Sequence, residues 1–362
     1  MAVHLFTGFP GFLGSELLPR VLSRAPEDRA VCLVQPRFAP LARERAAALA
    51  ARDPSLAGRI ELAEGDVTAE GLGLGSADAL RREVREVWHL AAVYDLSVPR
   101  ELGLRVNVEG TRRVLRFAEA CPALARLQYV STCYVSGRWP GTFTEADLEK
   151  GQTFNNHYEE TKYLAEVEVR RAMEAGLPAT VYRPAVVVGD SRTGATQKYD
   201  GPYYVIRWIL KQGRLAVLPT IGDTRAHALN VVPRDFVVPA IVHLAALAGS
   251  RGEVYQLADP SPLTVDALIG AIGAASGRRI LRVPLPLGLA KAAIDRVPGV
   301  ERLMGIPSSA VDYFVHPTRY DTAHARRDLA GSGLEVPSLS SYLDRLVAFV
   351  RDHPEVGSAA MA

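Results

Sequence analysis

A tyrosine and a lysine stand four residues apart in Tyr158-Glu159-Glu160-Thr161-Lys162. In a helix that spacing puts both side chains on one face. A free phenol ionises at about 10, too high for ready proton transfer near neutral pH. A neighbouring ammonium favours the phenolate and brings that value toward the working range. Upstream, Thr132 follows the apolar run Leu127 to Ser131. A hydroxyl at the C-terminal end of a buried strand is well placed to hold a carbonyl oxygen beside such a phenol. Together the three suit acid–base chemistry at a carbonyl or an alcohol. Each also has a bland reading: a hydrogen-bonded strand end for Thr132, a plain amphipathic helix for Tyr158 and Lys162.

The reaction needs a partner for the proton, and the N-terminus offers a place for one. Thr7-Gly8-Phe9-Pro10-Gly11-Phe12-Leu13-Gly14 follows a short apolar run and precedes a helical pattern. Glycines there let the backbone turn sharply and approach a pyrophosphate, whose charge a helix N-terminus favours. An acid about 20 positions on would grip the ribose 2′-hydroxyl of NAD. The second strand instead ends Val34-Gln35-Pro36-Arg37, with no acid. Arg37 can pair with a 2′-phosphate, which favours NADPH; its alternative is simple exposure. Asp66-Val67 suits a contact with the adenine, although Asp66 could equally cap a helix. Leu90-Ala91-Ala92 is small enough for a cofactor to pass close by.

These residues need a scaffold, and the hydrophobic pattern supplies one. Strands are expected at 3–7, 30–34, 59–63, 86–90, 127–131 and 179–182. Helices are expected at 12–24, 41–52, 102–120 and 158–175. Strands alternating with helices give a doubly wound α/β fold, a parallel sheet covered on both faces. After about residue 188 the regularity fades. Asp190 to Asp200 reads as a mobile loop, Val232 to Ala248 as a helix, Glu253 to Leu257 as a strand and Tyr342 to Val350 as a terminal helix. The tail from Gly357 to Ala362 reads as frayed. Three proline-bounded apolar stretches, Val283 to Leu289, Ala292 to Val297 and Leu303 to Pro307, could wall a channel for an apolar chain or simply pack a core.

The 362 residues can bury a large core. A net charge of +2 gives no argument for nucleic acid. Three scattered cysteines form no disulfide or zinc framework, and the eight histidines form no close ligand pair, so no metal is expected. No apolar run reaches transmembrane length, and the expected location is the cytoplasm. Lysine is scarce, which makes Lys162 within a motif more informative.

The motifs resemble the extended branch of the short-chain dehydrogenase/reductase superfamily over roughly residues 1 to 260. They fall in order: the glycine loop, Gly65-Asp66-Val67, His89-Leu90-Ala91-Ala92, Asn107-Val108-Glu109-Gly110-Thr111, Val130-Ser131-Thr132, Tyr158 to Lys162, and Arg183-Pro184 to Gly189. The resemblance implies Tyr158 as acid/base, Lys162 also on the nicotinamide ribose, Thr132 orienting substrate, and a supporting Asn107. It adds Val130, Arg183, Pro184 and Val187 to the cofactor contacts and Cys133, Tyr134 and Asn155 to the substrate contacts. It also implies an interleaved domain split. Residues 1–188 and about 228–260 would bind NAD(P); about 189–227 and 261–362 would form the substrate part.

Within the superfamily the chain resembles fatty acyl-CoA reductases and carrier-protein thioester reductases of the male-sterility type. The pointers are Gly11-Phe12-Leu13-Gly14, Ser131-Thr132-Cys133-Tyr134-Val135-Ser136-Gly137, Thr161 to Glu166 and Gly189 to Gly194. That group often has arginine directly after the second strand, where this chain has Gln35. The implied substrate is an acyl-CoA, an acyl carrier protein thioester or an aldehyde, reduced by NADPH, with NAD as the alternative cofactor. Peripheral membrane contact and a homodimer through the helices at 102–120 and 158–175 are further expectations. Three rivals share the scaffold: an NDP-sugar epimerase, dehydratase or reductase; a hydroxysteroid-type dehydrogenase; and a non-catalytic NAD(P)-binding regulator. The first needs cations in the substrate part, with Arg207, Arg214, Arg225 and Arg234 as candidates.

Overall fold

The computed structural model describes residues 2–75, 77–297, 299 and 304–357. Leu303 and the tail beyond 357 lie outside them. The described strands, in chain order, are β1 (Val3–Thr7), β2 (Arg29–Val34), β3 (Ile60–Glu64), β4 (Val84–His89), β5 (Arg126–Val130), β6 (Gly141–Phe143), β7 (Ala179–Pro184), β8 (Val186–Val188), β9 (Leu215–Ile221), β10 (Val231–Pro233), β11 (Val254–Leu257), β12 (Arg279–Leu285) and β13 (Thr318–Tyr320). Seven form one sheet in the order β11-β7-β5-β4-β1-β2-β3, with every pairing parallel.

Alternation along the strands explains the layering. In β1, Phe6 faces a cluster with Leu17, Leu18 and Val21 of the helix Gly14–Leu22 and with Phe236 and Ile241 of the helix Arg234–Ala246. Its neighbours Val3 and Leu5 face the opposite cluster, with Val114 and Phe117 of the helix Gly110–Glu119 and Ala165 and Val169 of the helix His157–Glu174. A strand buried on both faces reads as a near-continuous apolar run, as β1 does. The helix Ala323–Leu329, late in the chain, also joins the first cluster through Ala325 and Leu329.

Strand order reverses between β1 and β4. Thr7 pairs there with Leu33 on one side and His89 on the other, so three strands end level. Such a switch point opens a crevice at the C-terminal edge of a parallel sheet.

The long helix expected at 102–120 is three pieces: Arg100–Gly103, a π-helical turn Leu104–Glu109, and Gly110–Glu119. The outer faces of this element and of His157–Glu174 carry ion pairs, Arg100 with Glu160 and Arg112 with Glu168. The segment expected to be a mobile loop is built as hydrogen-bonded turns. The Asp190 carboxylate accepts from the backbone N–H groups of Arg192 and Thr193, and Gly194 packs against the backbone of Arg345.

A second core joins the helices Pro202–Leu210, Val265–Ser276 and Leu343–Asp352. Beside it lies the two-stranded parallel sheet of β9 and β12. The terminal helix matches the one expected at Tyr342 to Val350, whereas the helices Pro202–Leu210 and Val265–Ser276 and the β9–β12 pair carry no strong sequence pattern.

Candidate active site

A cavity of about 820 Å³ opens at the C-terminal edge of the sheet, over the switch point. One end is lined by residues 7–14, by Val34, Gln35 and Arg37 after β2, and by Gly65, Asp66 and Val67 after β3. Its middle is lined by Leu90, Ala91 and Ala92 after β4, by Val130 and Thr132 after β5, and by Tyr158 and Lys162. The far end holds Tyr94, Leu96, Tyr134, Pro184, Val187, Tyr204, Tyr313 and Phe314.

The glycine loop is packed so tightly that no side chain fits. A Cβ on Gly8, which has φ of +94°, would lie 2.9 Å from the backbone of Ala91. One on Gly11 would lie 2.7 Å, and one on Gly14 2.6 Å, from the Gly8 carbonyl oxygen. The loop thus presents bare backbone at the start of the helix Gly14–Leu22, where N–H groups and the helix dipole favour an anion. That cradle fits a dinucleotide pyrophosphate.

After β2 the polar groups form a chain. Arg37 donates from Nε to the Gln35 side chain at 2.8 Å, and Gln35 donates to Asp66 at 3.0 Å. The other oxygen of Asp66 accepts from Thr68 N–H at 2.7 Å, so Asp66 both holds its own turn and lines the cavity. The Arg37 guanidinium lies over the Phe38 ring at the exposed edge.

The helix His157–Glu174 is capped by Asn156, whose side chain accepts from Glu159 N–H. Tyr158 is buried, and burial pushes its phenol well above the usual range. The charges of Glu159 and Asp200 add to this, while the Thr132 hydroxyl opposes it. Lys162 does not bond the phenol. Its ammonium donates to the Tyr129 hydroxyl at 3.0 Å and to the Val130 carbonyl at 2.9 Å, beneath the site. Burial lowers its pKa to about 8, with Glu166 working against that. The expected pairing of ammonium with phenol is therefore replaced in this structure by an anchor into β5.

A network that the sequence had not revealed ties the loop to the helix Gly110–Glu119. His89 is buried, and burial followed by the Lys162 charge lowers its pKa to about 3. It is neutral, with one ring nitrogen a donor. The Thr111 hydroxyl is already committed to the Asn107 carbonyl, so His89 Nε2–H donates to Thr111 and Nδ1 accepts from Thr7. Thr7 in turn accepts from Leu90 and Ala91 N–H.

Four expected site residues do not line the cavity. Asn107 is buried and fully engaged, accepting from Val93 N–H and donating to Thr161. Arg183, also buried, forms an ion pair with Glu166 at 2.6 Å and donates to the carbonyl of Asp147. Its guanidinium satisfies a buried acid rather than facing a cofactor. The Cys133 thiol turns to the Arg183 carbonyl. Asn155 donates its backbone N–H and side-chain amide to Glu159 and borders a neighbouring groove with Leu96 and His157.

Other lining residues were missed: Tyr94, Leu96, Leu102, Arg105, Lys198, Asp200, Tyr204, Tyr313 and Phe314 among them. Tyr94 meets Tyr158 edge-on at 5.0 Å, and Tyr134 meets Tyr313 at 4.8 Å. Lys198 lies over the Tyr94 ring and 3.5 Å from Asp200. Only scarcity marked Lys198, and nothing local marked the tyrosines. The candidate cations Arg207, Arg214, Arg225 and Arg234 are all absent from the lining; Arg234 pairs with Glu16. The stretches Val283 to Leu289 and Ala292 to Val297 do not line it either, and Val283, Leu289 and Val297 face outward.

Among the described residues, no helix is long and apolar enough to cross a membrane, and no cluster of three His, Cys, Asp or Glu side chains could hold a metal.

Known proteins resemble this chain in sequence and fold. Residues 6–241 match the family model of the male sterility protein. A linear gramicidin synthase from Brevibacillus parabrevis is 32% identical over 279 residues, 74% of this chain but 5% of that protein. The terminal R domain of a myxalamid PKS-NRPS pathway superposes with a TM-score of 0.84 at 26% identity, covering 98% of this chain and 92% of that one. A thiolation-reductase di-domain of an archaeal non-ribosomal peptide synthetase has the same fold, with a TM-score of 0.75 at 20% identity over 98% of this chain and 76% of that one. The chain belongs to the male sterility protein family, of the extended short-chain dehydrogenase/reductase type.

Proposed function

We propose that this chain reduces the carbonyl of an acyl thioester or an aldehyde, with NADPH as the preferred cofactor. The observation that carries the reading is the wall beside Thr132 and Tyr158. It is made of Tyr94, Leu96, Tyr134, Tyr204, Tyr313 and Phe314, apolar and aromatic surfaces suited to an acyl chain. A sugar nucleotide would bring a second pyrophosphate, and none of the four arginines that could pair with it reaches the cavity. Two further cations do line it, Arg105 and Lys198, and Asp200 already accompanies Lys198.

Residues 8–14 would hold the pyrophosphate, Gln35, Arg37 and Asp66 the adenosine end, and Lys162 the nicotinamide ribose. A reduced nicotinamide bound there supplies a hydride. Thr132 donates a hydrogen bond to the substrate carbonyl and fixes it beside the phenol. Tyr158 delivers its proton to the oxygen as negative charge develops; a phenol held protonated by burial suits the role of acid. Lys162, anchored under β5, fixes the helix and places a positive charge below the site. A thioester treated this way gives a hemithioacetal, which loses thiol to leave an aldehyde. The linear gramicidin synthase named above is a far longer protein than this chain, and the acyl group would arrive on coenzyme A or a carrier protein.

The test is kcat/KM with NADPH and with NADH for acyl-CoAs, aldehydes and sugar nucleotides, using monomeric substrates. Efficiency is expected to rise with acyl length, since each buried methylene contributes about 0.8 kcal/mol, roughly fourfold. A flat profile with strong activity on a sugar nucleotide would overturn the acyl reading.

A further inference from the structure

Seven large hydrophobic side chains are exposed among the described residues, and six of them fall on two short stretches of one region. Leu215 and Val217 lie on β9, Leu281 and Val283 on β12, and Leu289 and Val297 on and just after the helix Leu287–Arg296. The register makes the first four one surface. Val217 pairs with Leu281, Leu215 with Arg279 and Pro219 with Val283, and alternate residues share a face. The residues between them on β9, Ala216 and Leu218, are buried on the other side. Scattered exposed leucines need no explanation; a contiguous group does.

The surface around this face is basic. Residues 214–217 and 278–297 hold Arg214, Arg278, Arg279, Arg282, Lys291 and Arg296, with Asp295 as the one acid. Arg282 pairs with Asp266 and Lys291 with Asp312. Counting all three acids, the region still has an excess of three positive charges on a chain whose net charge is +2.

We propose that this face is the docking surface for the acidic protein that delivers the acyl thioester; this rests on the thioester reading above. An apolar centre with Arg279 on the same face, in an arginine-rich stretch, has the composition of a protein interface, and the charge selects an acidic partner. A second copy of this chain would bring like charge onto like. A lipid surface is the poorer match, because the patch has no Trp, Phe or Tyr and is a strand face rather than an inserted helix. Its position also fits delivery. Ala216 and Leu218, on the inner side of β9, belong to the cluster of Tyr134, Val186 and Tyr313, and those three line the cavity. The face thus lies on the outer side of a core that also forms part of the cavity wall.

The experiment compares octanoyl groups on an acidic acyl carrier protein and on free pantetheine, using wild type, Leu281→Glu and Arg279→Glu. Both side chains are exposed, and melting temperatures check the fold. The KM for the carrier thioester is expected to rise about tenfold or more in each variant with kcat unchanged, while octanoyl-pantetheine stays within about twofold. Equal loss on both substrates, or on neither, overturns the proposal. So does loss of binding to phosphatidylglycerol vesicles with carrier kinetics intact, which would assign the face to lipid. Anisotropy of labelled carrier separates the two readings. Patch-dependent binding without reduction keeps the surface and removes the thioester chemistry; reduction without patch-dependent binding does the reverse.

Discussion

The two ends of the cavity are built from different material. The cofactor end is backbone: Gly11 and Gly14 pack against the Gly8 carbonyl and Gly8 against the chain after β4, locked by Thr7 and His89. The substrate end is side chain: rings from Tyr94, Tyr134, Tyr204, Tyr313 and Phe314, carried on segments far apart in sequence. Backbone geometry cannot drift without losing the turn, whereas a wall of rings can be refitted one residue at a time. The contrast explains how one scaffold keeps its cofactor while changing its substrate.

Tyr158 stands at the seam, and its removal should separate the ends most sharply. Tyr158→Phe is expected to lower kcat by about a hundredfold or more while NADPH affinity stays near wild type. Steady-state rates and nucleotide fluorescence titration would show it. A parallel loss of cofactor binding would mean that the two ends are not independent.

The next test attacks the backbone end. Gly11→Ala forces a Cβ to within 2.7 Å of the Gly8 carbonyl, so NADPH affinity should fall about tenfold or more and the melting temperature should drop. Gly213→Ala, where a Cβ meets nothing within 4 Å, is the control and should change neither. If Gly11→Ala bound NADPH normally, the cradle would not be the rigid element described.

A smaller effect is expected at Arg37, the exposed end of that half. Arg37→Ala should cut the preference for NADPH over NADH by roughly tenfold and leave NADH affinity unchanged, as loss of one charge-assisted contact to a phosphate implies. An unchanged ratio would remove Arg37 from cofactor selection.

The same contrast decided what could be read from sequence. The glycine loop, Asp66 and Leu90 to Ala92 each sit at a strand end followed by a turn, so local pattern located them. Tyr158 and Lys162 were legible as a pair because helical spacing is local. The partners of Lys162 were not, since Tyr129 meets it only once the helix packs on β5. Arg183 shows how a motif can mislead: it stands at a strand end near the site, yet its side chain turns inward to Glu166. Tyr94, Tyr204 and Tyr313 have no local signature, and neither does a parallel pair such as β9 and β12, whose strands find each other only in the folded chain.

A different readout, stability against pH, tests the group that joins the helix His157–Glu174 to the Tyr313 wall. Glu159 is fully buried beside Tyr158. It accepts from Asn155 and faces the Tyr313 hydroxyl and the Asp312 carboxylate. Burial raises its pKa from 4.5 to about 7, the hydrogen bonds from Asn155 and Tyr313 opposing this and Asp312 adding to it. A carboxyl whose folded value exceeds its unfolded value holds its proton more tightly when folded. Its contribution therefore favours folding at low pH and declines as pH rises from about 4.5 to 7, at up to about 1.4 kcal/mol per pH unit. Glu86, Asp28 and Glu160, all lowered, slope the other way, so the measurement must be a difference. Urea unfolding of wild type and Glu159→Gln across pH 5 to 8 should show the variant gaining stability relative to wild type as pH rises, with the gap levelling off above about 7. A constant gap would mean that Glu159 is ionised throughout, and that the helix His157–Glu174 and the Tyr313 wall are joined by a charge already present rather than by a proton.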